Sequence, residues 1–157
     1  METLVYTTLV SLLSVLAVQT IVSLSKVFKE VNAARDIENS AIVALDRIAR
    51  EIRLSDALGS GSVFGTSAGK LVLNYSGAGP TTREFSIVGD VLHLYEDSVD
   101  QGELTSPNVA VTVFHLDQAT SSGKIAVRIT LTLKDKRAAV NPKTATFYSA
   151  AAMRGLY

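Results

Sequence analysis

The chain has 157 residues, 47% of them hydrophobic, with 15 acidic and 15 basic side chains and no cysteine. That length supports one domain with a modest core. The balanced charge supplies no field to steer the chain toward nucleic acid, and the missing cysteines exclude a disulfide framework and all thiolate chemistry. An exported domain of this kind must hold itself together by packing alone.

Residues 3–25, TLVYTTLVSLLSVLAVQTIVSLS, contain no charge, no Gly and no Pro. Roughly 23 helical residues cross a hydrocarbon core of about 30 Å, so the segment reads as a spanning helix whose partner is the lipid bilayer. A cleaved secretory signal would open on a basic region and have a shorter apolar stretch, whereas this segment opens on Glu2 and runs straight on. Thr3, Thr7, Ser11 and Ser14 recur at intervals of four, four and three, which places small hydroxyl side chains along one stripe. Such a stripe lets two lipid-embedded helices approach closely; its plainer role is to bond back to its own backbone and face lipid. Gln19 needs a partner on a neighbouring helix or a place near the far interface.

Beyond Lys26 and Lys29 the helical period continues through Val31, Ala34, Ile37, Ala41, Leu45, Ile48 and Ile52. The opposite face is charged, with four-apart pairs Asp46–Arg50 and Arg47–Glu51 that read as a solvated surface. The first Gly after the span is Gly59, in Gly59-Ser60-Gly61-Ser62, so the helix is predicted to run to about Leu58. Three regions follow: a transmembrane helix over 1–26, its amphipathic continuation over 27–58, and an extracytoplasmic β-rich domain over 59–157.

Alternating patterns rich in β-branched and aromatic residues predict strands at 70–75, 83–88, 91–96, 109–116, 125–133 and 144–149. Gly89-Asp90 suits a two-residue hairpin, and residues 119–123, with Ser121-Ser122-Gly123, read as the loop of another. Ile125, Val127, Ile129, Leu131 and Leu133 form a wholly aliphatic strand face that needs a cover, and the helix stripe is the nearest candidate. The fold class expected is α+β, a long N-terminal helix packed on a small antiparallel sheet.

No constellation for chemistry emerges. His93 and His115 lie in predicted strands without a second ligand close in sequence, which argues against a metal. Glu96, Asp97, Asp100 and Glu103 cluster in a predicted loop that offers oxygens for Ca²⁺ but matches no EF-hand spacing. The run Gly65 to Leu71 has the wrong glycine spacing for a phosphate loop, and no Ser or Thr follows Lys70. No catalytic residue, cofactor or metal is assigned, and the chain reads as non-enzymatic.

The order of parts, an acid opening an apolar helix, an amphipathic continuation and an antiparallel domain, resembles the type IV pilin and pseudopilin family. Glu2-Thr3-Leu4-Val5 matches the family signature from its Glu onward, and Ala44-Leu45-Asp46-Arg47-Ile48-Ala49-Arg50-Glu51-Ile52-Arg53 looks like the corresponding helix of the larger minor pseudopilins, the J-type of type II secretion and the W-type of type IV pili. The resemblance implies a structural filament subunit held in the bacterial cytoplasmic membrane before assembly, with Glu2 paired to the amino terminus of a neighbouring subunit; Glu2 and the stripe Thr3, Thr7, Ser11 and Ser14 are the candidate subunit-assembly residues. It also implies its partners: other pilin-like subunits, a membrane platform protein, an assembly ATPase, and a prepilin peptidase acting on a basic leader encoded upstream of Met1. That leader would reconcile an extracytoplasmic β domain with Lys26, Lys29 and Arg35 following the span. The competing class is a single-pass anchored binding module whose helix is a passive tether.

Overall fold

The computed structural model describes residues 2–77, 79–121, 124–137 and 142–154. The elements run α1 (Glu2–Leu54), β1 (Ala57–Leu58), β2 (Leu71–Asn74), β3 (Thr82–Val88), β4 (Val91–Glu96), β5 (Val99–Glu103), β6 (Val109–Ser121), β7 (Lys124–Asp135) and β8 (Thr144–Ala152). The class is α+β, as expected from the sequence. Two compact units divide the chain, Met1–Ala34 and Arg35–Tyr157.

In the first unit α1 is uncharged over residues 3–25, and its side chains are exposed from residue 2 to residue 32. It is long and apolar enough to cross a membrane. An apolar surface of this extent is expected in contact with lipid or another protein rather than water.

In the second unit α1 buries Ile37, Ala41, Ala44, Ile48, Ala49 and Ile52. The predicted stripe is therefore rotated slightly: Leu45 is only half-buried and Val31 is exposed, while Ala44 and Ala49 take inner positions. Small alanines let a helix approach a sheet closely, and the larger isoleucines fill the gaps between strand side chains. The helix stops four residues earlier than the glycine signal suggested. Ser55 N–H donates to the Glu51 carbonyl and the Ser55 hydroxyl to that of Ile52, closing the last turn, and Asp56 N–H already bonds to the Asn74 carbonyl. Sheet pairing captures the chain before the glycines are reached, and Ala57–Leu58 becomes β1.

Two antiparallel sheets complete the domain, one in the order β1-β2-β3-β4-β5 and the other β6-β7-β8. Each joins strands that are neighbours in sequence. Gly89 and Asp90 link β3 to β4 with φ of 57° and 66°, the double left-handed conformation of a type I′ hairpin, which suits the right-handed strand twist. The core gathers the α1 stripe with Leu71, Leu73, Phe85, Leu92 and Leu94 of the first sheet and Phe114, Leu116, Val127, Ile129, Leu131 and Leu133 of the second. The aliphatic face of β7 is thus covered, with Ile125 at its end only partly so. The second hairpin pairs Ser121 with Lys124; Ser122 and Gly123 of its expected loop lie outside the described residues.

A strap connects the sheets. Between β1 and β2, Gly65 N–H donates to the Leu116 carbonyl, Gly69 N–H to that of Phe114, and Phe114 N–H to that of Ser67. Any Cβ on Gly69 would stand 2.7 Å from the Phe114 carbonyl oxygen, so only glycine permits this approach. The stretch that superficially resembled a phosphate loop is a backbone clamp on β6.

A fragment beginning at Lys29 is expected to be soluble and cooperatively folded, because it discards the exposed apolar surface and keeps the stripe that covers the sheets. Gel filtration and thermal unfolding by circular dichroism check this. Aggregation, or a broad non-cooperative melt, would show that the stripe and sheets do not form one core.

Candidate functional site

Glu2 is the first residue of α1 and lies in its first turn, where the helix dipole favours a carboxylate. The Thr7 hydroxyl donates to the Thr3 carbonyl at 2.8 Å, Ser11 to Thr7 at 2.8 Å and Ser14 to Val10 at 2.9 Å. Thr8 and Thr20 bond back in the same way. These hydroxyl protons are spent within the helix, so the stripe can face lipid without an unsatisfied donor while its small profile still admits a second helix. Thr3, Thr7, Ser11, Ser14 and Gln19 are all exposed.

The second unit holds a polar cluster that periodicity reasoning did not find. Glu51 was expected on the solvated face, yet it is 2% exposed. It lies three residues after Ile48 and seven after Ala44, which is the spacing of the buried stripe, and that was the available signal. Its carboxylate is met by Arg83 from β3, whose Nη1 contacts Oε2 closely, and by the Tyr75 hydroxyl, which donates to Oε2 at 2.8 Å. Arg47 Nε stands 3.1 Å from Oε1 but at an angle that makes no hydrogen bond, so that contact is ionic only. Arg83 extends the chain of charges by donating from Nε to Glu96 on β4 at 2.8 Å, and its guanidinium lies over the Tyr75 ring, 5.0 Å from the centroid.

The electrostatics follow. Burial, then the hydrogen bond to Glu51 and its negative charge, push the Tyr75 phenol well above its ordinary value of 10.0, with Arg83 opposing. Burial works against the Arg83 cation, but the Glu51 carboxylate outweighs it and holds the guanidinium above its usual value. A group whose folded pKa is raised contributes stability fully present below its unfolded pKa and lost as pH rises through the folded one. For Tyr75 that window opens above pH 10.0. Urea midpoints of the wild type are therefore expected to fall more steeply than those of Tyr75→Phe above pH about 10, where the unfolded phenol ionises. Parallel curves for the two proteins would sink the assignment.

The acidic residues predicted to share a loop are dispersed. Glu96 ends β4, Asp97 and Ser98 form the turn with positive φ, and Asp100 and Glu103 belong to β5. Asp97 is committed to Thr81 and Thr82; the Thr81 hydroxyl first, then the Thr82 amide, hold its carboxyl below the usual range. Asp100 accepts from Gly102 N–H and faces His93 Nδ1 at 3.0 Å. His115 places Nδ1 3.1 Å from the Thr66 carbonyl and Nε2 3.1 Å from Asp117. Each histidine ring thus contacts one carboxylate, and among the described residues no three His, Cys, Asp or Glu side chains converge to hold a metal ion.

Comparison with protein-family models, curated proteins and solved structures found no match to this chain.

Proposed function

We propose that the chain is a non-enzymatic structural subunit of a type IV pilus-like or type II secretion pseudopilus filament, a minor subunit held in the bacterial cytoplasmic membrane before assembly. Its β domain lies outside the cytoplasm, and the assembled filament is periplasmic or extracellular. The observation that carries this reading is that one helix, Glu2–Leu54, supplies both an uncharged stretch long enough to span a bilayer and the buried stripe of the β domain's core. A separate anchor joined by a flexible linker would serve a tether equally well, whereas here the residues of the span and those of the buried stripe belong to one helical element. Pilin-like neighbours, a platform protein and an assembly ATPase are the partners this role requires, and no cofactor enters.

The tethered binding module is the second reading, favoured by the internally satisfied hydroxyls of Thr7, Ser11 and Ser14, which leave that stripe no need of a protein neighbour. The two separate in one experiment. Residues 3–25 are replaced by an unrelated uncharged apolar helix of equal length with Glu2 retained, and membrane and sheared-filament fractions from the same cells are compared. The filament reading expects the wild type in both fractions and the chimaera in the membrane alone. Absence of the wild type from filaments, or full incorporation of the chimaera, would overturn it.

A further inference from the structure

Edge strands leave backbone N–H and C=O groups open to pairing, and folded proteins blunt them with charge, brevity, bulges or cover. Among the described residues the two sheets have four edge strands, and three of them are blunted in those ways. β1 is two residues long. β5 carries Asp100 and Glu103 and pairs with β4 through a bulge. β6 is overlaid by the strap at Phe114 and Leu116, and its Val111 N–H bonds to the Asp90 carbonyl.

β8 is different. Its sequence, Thr-Ala-Thr-Phe-Tyr-Ser-Ala-Ala-Ala, is nine residues without charge, Gly or Pro, and its register against β7 is unbroken. Every other strand of five residues or more carries charge. The hydrogen bonds at its two ends fix which groups are free: Asp135 N–H bonds to the Lys143 carbonyl, and Met153 N–H to the Ile125 carbonyl. Antiparallel pairs alternate, so the odd-numbered residues of β8 bond to β7. The short contact between the Thr132 and Thr146 hydroxyls, 2.9 Å, agrees, since side chains approach most closely at non-hydrogen-bonded pairs. Thr144, Thr146, Tyr148, Ala150 and Ala152 therefore turn both backbone groups outward, and among the described residues no backbone bond to this edge from another segment is made.

We infer that the β8 edge is a docking strand for a second copy of this chain, paired antiparallel about a two-fold axis at Tyr148. The strand's own chemistry selects a copy of itself. Thr144 then faces Ala152 of the other copy, Thr146 faces Ala150, and Tyr148, 73% exposed, faces its own equivalent, so small residues meet small ones and an aromatic meets an aromatic. No like charges are juxtaposed, and all the outward backbone groups of both strands are satisfied at once. The inference is independent of filament membership, because a tethered module would dimerise through the same edge.

Since the chain has no cysteine, single substitutions report the pairing directly. The full-length Tyr148→Cys protein, oxidised in membranes or mild detergent, is expected to give a disulfide-linked dimer. Thr144→Cys is not, because the two-fold pairing separates those positions by eight residues along the strands, about 27 Å. Mixed Thr144→Cys and Ala152→Cys chains are expected to cross-link to each other. Ala150→Pro, which deletes an outward N–H and no bond to β7, should reduce the Tyr148→Cys dimer at least tenfold while the thermal melt is retained. No dimer at Tyr148→Cys, equal dimer at Thr144→Cys, a dimer indifferent to the proline, or cross-linking to another protein instead would each overturn the inference.

Discussion

Replacing Arg83 with Ala is expected to destabilise the β domain by about 3–5 kcal/mol, the cost of leaving a buried carboxylate uncompensated. Glu51 is 2% exposed, and among the described residues Tyr75 and the poorly aligned Arg47 are the polar side chains that would remain beside its carboxylate. Arg83→Met, which keeps most of the aliphatic stem, should lose nearly as much, separating lost charge from lost packing. The double variant Glu51→Leu/Arg83→Met should recover most of that loss, because two apolar residues need no partner in the interior. Urea denaturation of the fragment beginning at Lys29 provides the measurement. A loss under about 1 kcal/mol in Arg83→Ala would mean that water screens the pair as it does a surface bridge, and the brace between helix and sheet would be a minor one.

On the proposed filament role, Glu2→Ala is expected to insert into the membrane normally and to be nearly absent from sheared filaments. A carboxylate at a helix N-terminus gains up to about 1 kcal/mol from the dipole when exposed, which alone would account for an acid at this position. Inside a filament of apolar helices the bare charge costs about 3 kcal/mol or more, so a partner of opposite sign is required, and the family resemblance supplies one in the amino terminus of a neighbouring subunit. In the proposed filament the acid would then pin the register between subunits. Losing a charge makes insertion easier, so the membrane fraction should be unchanged or increased. Incorporation at the wild-type level would remove the pinning role, and loss from the membrane would assign Glu2 to the anchor instead.

Legibility in the sequence followed the strength of local pattern. Val91–Glu96 carries its own alternation between firm turn signals, and the observed strand has the expected bounds. β6 extends five residues beyond Leu116 through Asp117, Gln118 and Thr120, polar residues with no strand pattern of their own, because each finds a partner across the hairpin on β7. The sequence of β5 has the character of an acidic loop, since Val99 is its one large apolar residue; pairing to β4 rather than burial makes it a strand. Glu51 was misplaced for a related reason. Its four-apart partner Arg47 suggested a surface bridge, whereas the decisive partners, Tyr75 and Arg83, are 24 and 32 residues away and invisible to any local window. Of the residues proposed for assembly, Thr3, Thr7, Ser11 and Ser14 are spaced to share one stripe, and the helix carries them so, but the internal bonding of Thr7, Ser11 and Ser14 depends on rotamers that spacing does not encode.

The stripe of α1 has a consequence for how the chain is made. Ile37, Ala41, Ala44, Ile48 and Ile52 are synthesised before any strand that covers them, and the second sheet arrives last. At about 5–20 residues per second, roughly 100 residues of β domain leave the helix uncovered for about 5–20 s. Both sheets are built from sequential hairpins, which close in microseconds once their residues emerge. Packing the sheets onto the helix is non-local and takes about milliseconds to seconds, so translation is the longer step, and slowing it across residues 60–150 is expected to lengthen the vulnerable interval.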